Sequence, residues 1–146
     1  MSNIKARLMK PTGQDFLDVA YDIDREIWNF LKHTFKKATG GIPARYWQTH
    51  AVPIHQECWE MIGAIKKANS IYPPYTEATY TKRREHQQSA IGHLQTLYEY
   101  LKLTLNEIES IDANKLNNAF DLMEKEDKIL RGWKASTVLP KKAKQD

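Results

Sequence analysis

Of the 146 residues, the side chains richest in chemistry are five histidines and one cysteine. His55 and Cys58 stand three apart, so a helix would put imidazole and thiol on one face, as half of a metal site. His33, His50, His86 and His93 supply no second pair at ligand spacing, and no Cys-x-x-Cys occurs, so the pattern argues against zinc. The Glu-x-x-His pairs that hold di-metal centres in carboxylate bundles are absent, as are a phosphate-binding glycine loop and a nucleophile elbow. Glu57 and Glu60 are one helical turn apart, which suits a solvated helix face better than an acid–base pair. The expectation is a protein without catalytic residues, metal or cofactor.

Positive charge is the second chemistry to weigh. The chain carries a net +4 with a pI near 9.1. Residues 1–11 hold Lys5, Arg7 and Lys10 without an acid, and residues 137–146 hold Lys141, Lys142 and Lys144 against Asp146. These two tails contribute +3 and +2, which leaves the body between them near neutral at −1. Inside the body the cations are clustered: Lys66 and Lys67; Lys82, Arg83 and Arg84; Arg131 and Lys134. Clustered cations point to phosphate, and therefore to nucleic acid, if the fold brings them together. Cations at the C-terminal end of a helix also simply satisfy its dipole, but that does not account for Lys82–Arg84 near a helix start.

Four periodic segments decide whether these clusters meet. In the first, Phe16, Ala20, Ile23, Ile27, Phe30, Leu31 and Phe35 recur at helical spacing, with Asp15 as expected N-cap, Lys36 and Lys37 in the last turn, and Gly40 and Gly41 as the stop. The second runs from Pro43 to about Asn69 on a stripe of Trp47, Ala51, Ile54, Cys58, Met61, Ile62, Ile65 and Ala68. Pro53 interrupts it without changing its phase, so a kink is expected there, or else a break near Val52. After the loop "SIYPPYT", a third segment extends from about Glu77 to Glu109 along Gln87, Ala90, Ile91, Leu94, Leu97, Tyr98, Leu101, Leu105 and Ile108. Asp112 or Asn114 can cap the fourth, which carries Leu116, Phe120, Met123, Leu130 and Trp133 to about Ser136.

Four amphipathic helices with short connections predict an all-α, antiparallel up-down-up-down four-helix bundle over residues 15–136, with basic tails at 1–14 and 137–146. That topology gathers the start of the first and third helices and the end of the second and fourth at one pole. Lys66, Lys67, Lys82, Arg83, Arg84, Arg131 and Lys134 are then the predicted phosphate contacts. Tyr21 and Trp28 add apolar surface beside the first stripe, suited to a partner or a second subunit. No run is long and apolar enough to span a membrane, the first residues show no signal-peptide core, and one cysteine makes no internal disulfide; a cytoplasmic protein is expected.

Three short motifs occur in order within this frame: "RYW" at Arg45–Trp47, "IKKAN" at Ile65–Asn69 and "KILRGWKAS" at Lys128–Ser136. In these the chain resembles the four-helix bundle family of proteins encoded in 23S rRNA intervening sequences, and within it the accessory variability (Avd) group of diversity-generating retroelements. The resemblance covers about residues 16–136. It implies a non-catalytic, barrel-shaped homopentamer that binds the element's reverse transcriptase and template RNA in support of mutagenic cDNA synthesis. In that setting Gly132 would let another helix approach closely, with Trp133 filling the volume beside it.

Overall fold

The computed structural model describes residues 14–35, 45–74 and 76–139. Both clusters of tail lysines and arginines lie outside these residues, as do the expected helix stop at residues 36–41 and Pro43. The described residues form four helices and no strands: α1 (Asp15–Thr34), α2 (Val52–Asn69), α3 (Glu77–Glu107) and α4 (Asn117–Ser136). Each packs on its sequence neighbours, α2 against α3 most extensively, and α4 closes the ring against α1. This is the antiparallel up-down-up-down bundle.

The apolar stripes form the core. Ile23, Ile27 and Leu31 from α1, Ile54, Met61 and Ile65 from α2, Ile91, Leu97 and Leu101 from α3, and Leu130 from α4 are all but sealed from solvent. Each such side chain contributes roughly 1.5–3 kcal/mol by leaving water. Tyr98 departs from the expected stripe: it lies exposed on α3, with its ring edge against Phe120 at 5.5 Å.

The helix ends show how the sequence sets each boundary. Gln14, in extended conformation, occupies the N-cap of α1, so Asp15 is the first helical residue and not the cap. Asp15 and Asp18 still place acids in the first turn, where the dipole favours them. Thr76 caps α3 in a reciprocal box: its hydroxyl accepts from the Thr79 amide at 3.0 Å, and Thr79 Oγ1 accepts from the Thr76 amide at 2.9 Å. Asp112 accepts from the Asn114 amide at 3.0 Å and opens a 3₁₀ turn (Ala113–Leu116) that leads into α4.

Pro53 does not break the second helix. A π-helical segment (Trp47–Ala51) runs directly into α2, and both Tyr46 and Val52 keep right-handed helical angles. The Val52 amide bonds the Trp47 carbonyl five residues back. Proline has no amide to donate and its ring crowds the carbonyl four residues before it; widening the preceding turn accommodates both. His50, in this segment, reaches Glu107 at the end of α3, with Nε2 3.0 Å from the carboxylate.

Candidate nucleic-acid interface

Four helix ends converge at one pole, and named contacts tie them together. Gln14 before α1 and Asn69 at the end of α2 exchange side-chain amide hydrogen bonds, both 3.2 Å. Phe16 of α1 stacks on Trp133 of α4, with ring centroids 4.0 Å apart and planes within 10°. Gln87 of α3 donates to the Thr137 hydroxyl at 2.8 Å. Thr137 is buried, so the bundle continues one residue into what the sequence suggested was tail.

The predicted cations meet at this pole but differ in what they offer. Lys66 and Lys67 are exposed on the last turn of α2, and the Lys66 ammonium lies 5.4 Å from the centre of the Tyr21 ring. Tyr21 is therefore half-buried beneath a lysine, whereas Trp28 is exposed at the bundle surface. Lys82 is exposed on the second turn of α3. Lys134, half-buried, donates from Nζ to Gln88 at 2.7 Å. Arg131 is held in its own helix, where Nε donates to both Asp127 oxygens at 3.0 Å, so a carboxylate already offsets its charge.

Arg83, expected to meet phosphate, instead turns inward and is only 6% exposed. Its Nη1 donates to the Ala68 carbonyl at 3.3 Å and to the Ile71 carbonyl at 2.8 Å. Its guanidinium carbon sits 5.1 Å from the Tyr72 ring centre and 5.2 Å from that of Trp133. Burial lowers the pKa of this group, with the neighbouring Tyr72 opposing the shift. Arg84 behaves similarly toward α4, donating to the carbonyls of Lys134 at 3.2 Å and Thr137 at 3.5 Å. This accounts for cations at a helix start. They are unfavourable for α3, but antiparallel packing lays the C-terminal ends of α2 and α4 beside that start, and each arginine supplies a donor to carbonyls at a neighbour's C-terminal end, some of which also accept a backbone amide.

Gly132 also departs from expectation. It is exposed, and a Cβ placed there would meet nothing within 4 Å, so no other helix among the described residues approaches it. Trp133 does pack, against Phe16 and Arg83.

Two further features escaped the sequence reading. Glu126 is completely buried on α4, and neither carboxylate oxygen has a hydrogen-bond partner. Desolvation pushes its pKa up to about 9, with Lys125 opposing weakly. The signal was available: Ala119, Met123, Glu126, Leu130 and Trp133 are spaced four, three, four and three, which puts Glu126 on the core stripe. The second feature is a row of rings between α1 and α2. Phe35 meets Trp47, Trp47 meets Trp28, Trp28 stacks on His55 at 4.8 Å, and His55 leans on Trp59 at 5.0 Å. Here His55 Nε2 lies 3.4 Å from Asp24, while Cys58 is buried in the core with its thiol pKa raised by desolvation. The two side chains once considered as half a metal site thus have separate surroundings, and no metal-binding cluster occurs among the described residues.

Compared with known protein families, curated proteins and solved structures, the chain has no match. No described helix is long and apolar enough to cross a membrane.

Proposed function

We propose that this protein is a non-catalytic, oligomeric accessory protein of a diversity-generating retroelement, which binds the element's template RNA and its reverse transcriptase to support mutagenic cDNA synthesis. The observation that carries the RNA-binding part is the convergence of Lys66, Lys67, Lys82 and Lys134 on one end of the bundle, from three different helices. A chain whose body is nearly neutral thereby acquires a charged pole. The retroelement assignment and the pentameric assembly rest on the three ordered motifs.

RNA binding through these cations releases counterions, so affinity should fall steeply with salt. Four phosphate contacts give a slope of about −3 in log K against log salt, or a loss on the order of 10²-fold between about 50 and 200 mM. Filter binding of a structured RNA across that range tests it, and Lys66→Glu with Lys67→Glu and Lys82→Glu should flatten the slope. An affinity nearly independent of salt refutes the phosphate role.

A second reading is a protein-interaction bundle of the intervening-sequence type with no RNA role. The exposed Trp28 and Trp59, at 37% and 64%, favour it. Gene context separates the two: a reverse transcriptase gene beside paired template and variable repeats supports the first, an rRNA operon the second.

A further inference from the structure

Three glycines stand inside the helices, and at none of them does packing explain the missing side chain. A Cβ at Gly63, Gly92 or Gly132 would meet nothing within 4 Å. Gly132 lines a recess of about 540 Å³ at the cationic end of the bundle. Asn69, Tyr72, Arg83 and Trp133 share its walls, and Asp15 stands at its side.

The chemistry of this recess is unusual for a bundle end. Arg83 is more than nine-tenths buried, and its Nε has no hydrogen-bond partner although Nη1 serves two carbonyls. That Nε is itself sealed from solvent, so Arg83 presents positive charge to the recess and not a free donor. Tyr72 is 74% exposed, which leaves most of its ring uncovered. The Asn69 amide is committed only to Gln14, through bonds of 3.2 Å.

We infer that the recess receives one unpaired nucleobase of a bound RNA, stacked on Tyr72 beside the charge of Arg83 and read at its edge by Asn69 and Asp15. The inference rests on the RNA-binding reading above. Aromatic faces beside amides, a cation and a carboxylate are what recognition of a splayed base uses, because every base presents a flat face and an edge with donors and acceptors. A free phosphate fits poorly: Asp15 would repel it and the aromatic walls would give it nothing. A helix from another protein fits poorly too. The recess walls carry Asp15, Asn69 and Arg83 beside the rings, whereas a docked helix would call for a continuous apolar strip. The absent side chain at Gly132 keeps the space open, and Lys66, Lys67, Lys82 and Lys134 hold the strand's phosphates around it.

The test uses the full chain and a mixed-sequence single-stranded RNA of about twelve nucleotides, a length within the usual single-strand site size. Gly132→Ala and Gly132→Leu fill the recess progressively; Tyr72→Ala removes the stacking face; Gly92→Ala is the matched control. Alanine at either glycine should raise the melting temperature by roughly 2–4 °C, since helix propensity improves and nothing obstructs the new Cβ. The expected result is RNA affinity reduced roughly tenfold by Gly132→Leu and by Tyr72→Ala, less by Gly132→Ala and not at all by Gly92→Ala, with the salt slope unchanged. Should every variant bind like the wild type with the salt slope intact, the base pocket is wrong while the phosphate reading stands. Should the wild type fail to bind the RNA at any salt, both fall. If Gly132→Leu shifts the sedimentation of the protein alone, the recess is a contact between copies and the inference is overturned.

Discussion

Replacing Glu126 with methionine should stabilise the protein, and by an amount that grows with pH. In the unfolded chain this carboxyl titrates near 4.5; in the bundle, desolvation holds its pKa near 9. Below about pH 4.5 both states carry the proton and ionisation costs nothing. Above it the unfolded chain releases its proton while the folded one keeps it, so folding loses about 1.4 kcal/mol per pH unit until the folded group ionises too. The accumulated cost at pH 7 is about 3 kcal/mol, a large share of the stability of an ordinary domain. Methionine keeps an unbranched side chain of similar length and removes both unpartnered oxygens. Urea unfolding followed by circular dichroism, for both proteins from pH 5 to 8.5, gives the difference directly, since other titrating groups cancel. The variant should lead by about 1 kcal/mol at pH 5, about 3 at pH 7 and more at pH 8.5. A difference that stays constant across this range refutes the argument, because it would mean that Glu126 titrates alike in both states.

The pole offers two further predictions. Arg83→Ala should cost about 2–4 kcal/mol, because the Ile71 carbonyl loses its donor, the Ala68 carbonyl keeps only the Ile71 amide and a buried side chain is removed, while Lys82→Ala next door should stay within about 0.5 kcal/mol; equal melting temperatures for the two variants would contradict the inward placement of Arg83. Thr76→Ala opens the reciprocal box at the start of α3 and should lower stability by about 1 kcal/mol in chemical denaturation, whereas no change would show that the cap is dispensable.

What was legible in the sequence was whatever repeats. Ile23, Ile27 and Leu31, or Ile91, Leu94 and Leu101, announce buried stripes by spacing alone, and four stripes with short connections leave few topologies. The convergence of the cations followed from that topology. What each cation does there was not legible, because a hydrogen bond between helices leaves no periodic trace. Arg83 was nonetheless readable in part: Leu94, Ala90 and Gln87 continued back by one turn arrive at residue 83, and a core position outweighs the usual preference of arginine for solvent once carbonyls are at hand. Glu126 was hidden by its neighbours, since "EKEDK" reads as solvated charge unless it is set on the stripe of Met123 and Leu130. Pro53 announced a disturbance but not its form, because a widened turn and a break relieve the same clash. Gly132 was legible only in part: a missing side chain signals open space, and sequence does not say whether this chain or a second copy fills it.

Two adjacent arginines on α3 each hold the final turn of a different helix, Arg83 for α2 and Arg84 for α4. Those turns are far apart along the chain, yet fraying of the first turns of α3 withdraws both sets of donors together. Amide protons in the last turns of α2 and α4 should accordingly exchange with solvent at matching rates, as one cooperative unit governed by α3. The third helix thus acts as the latch of this end of the molecule, and the opening that exposes one carboxy-terminal turn exposes the other.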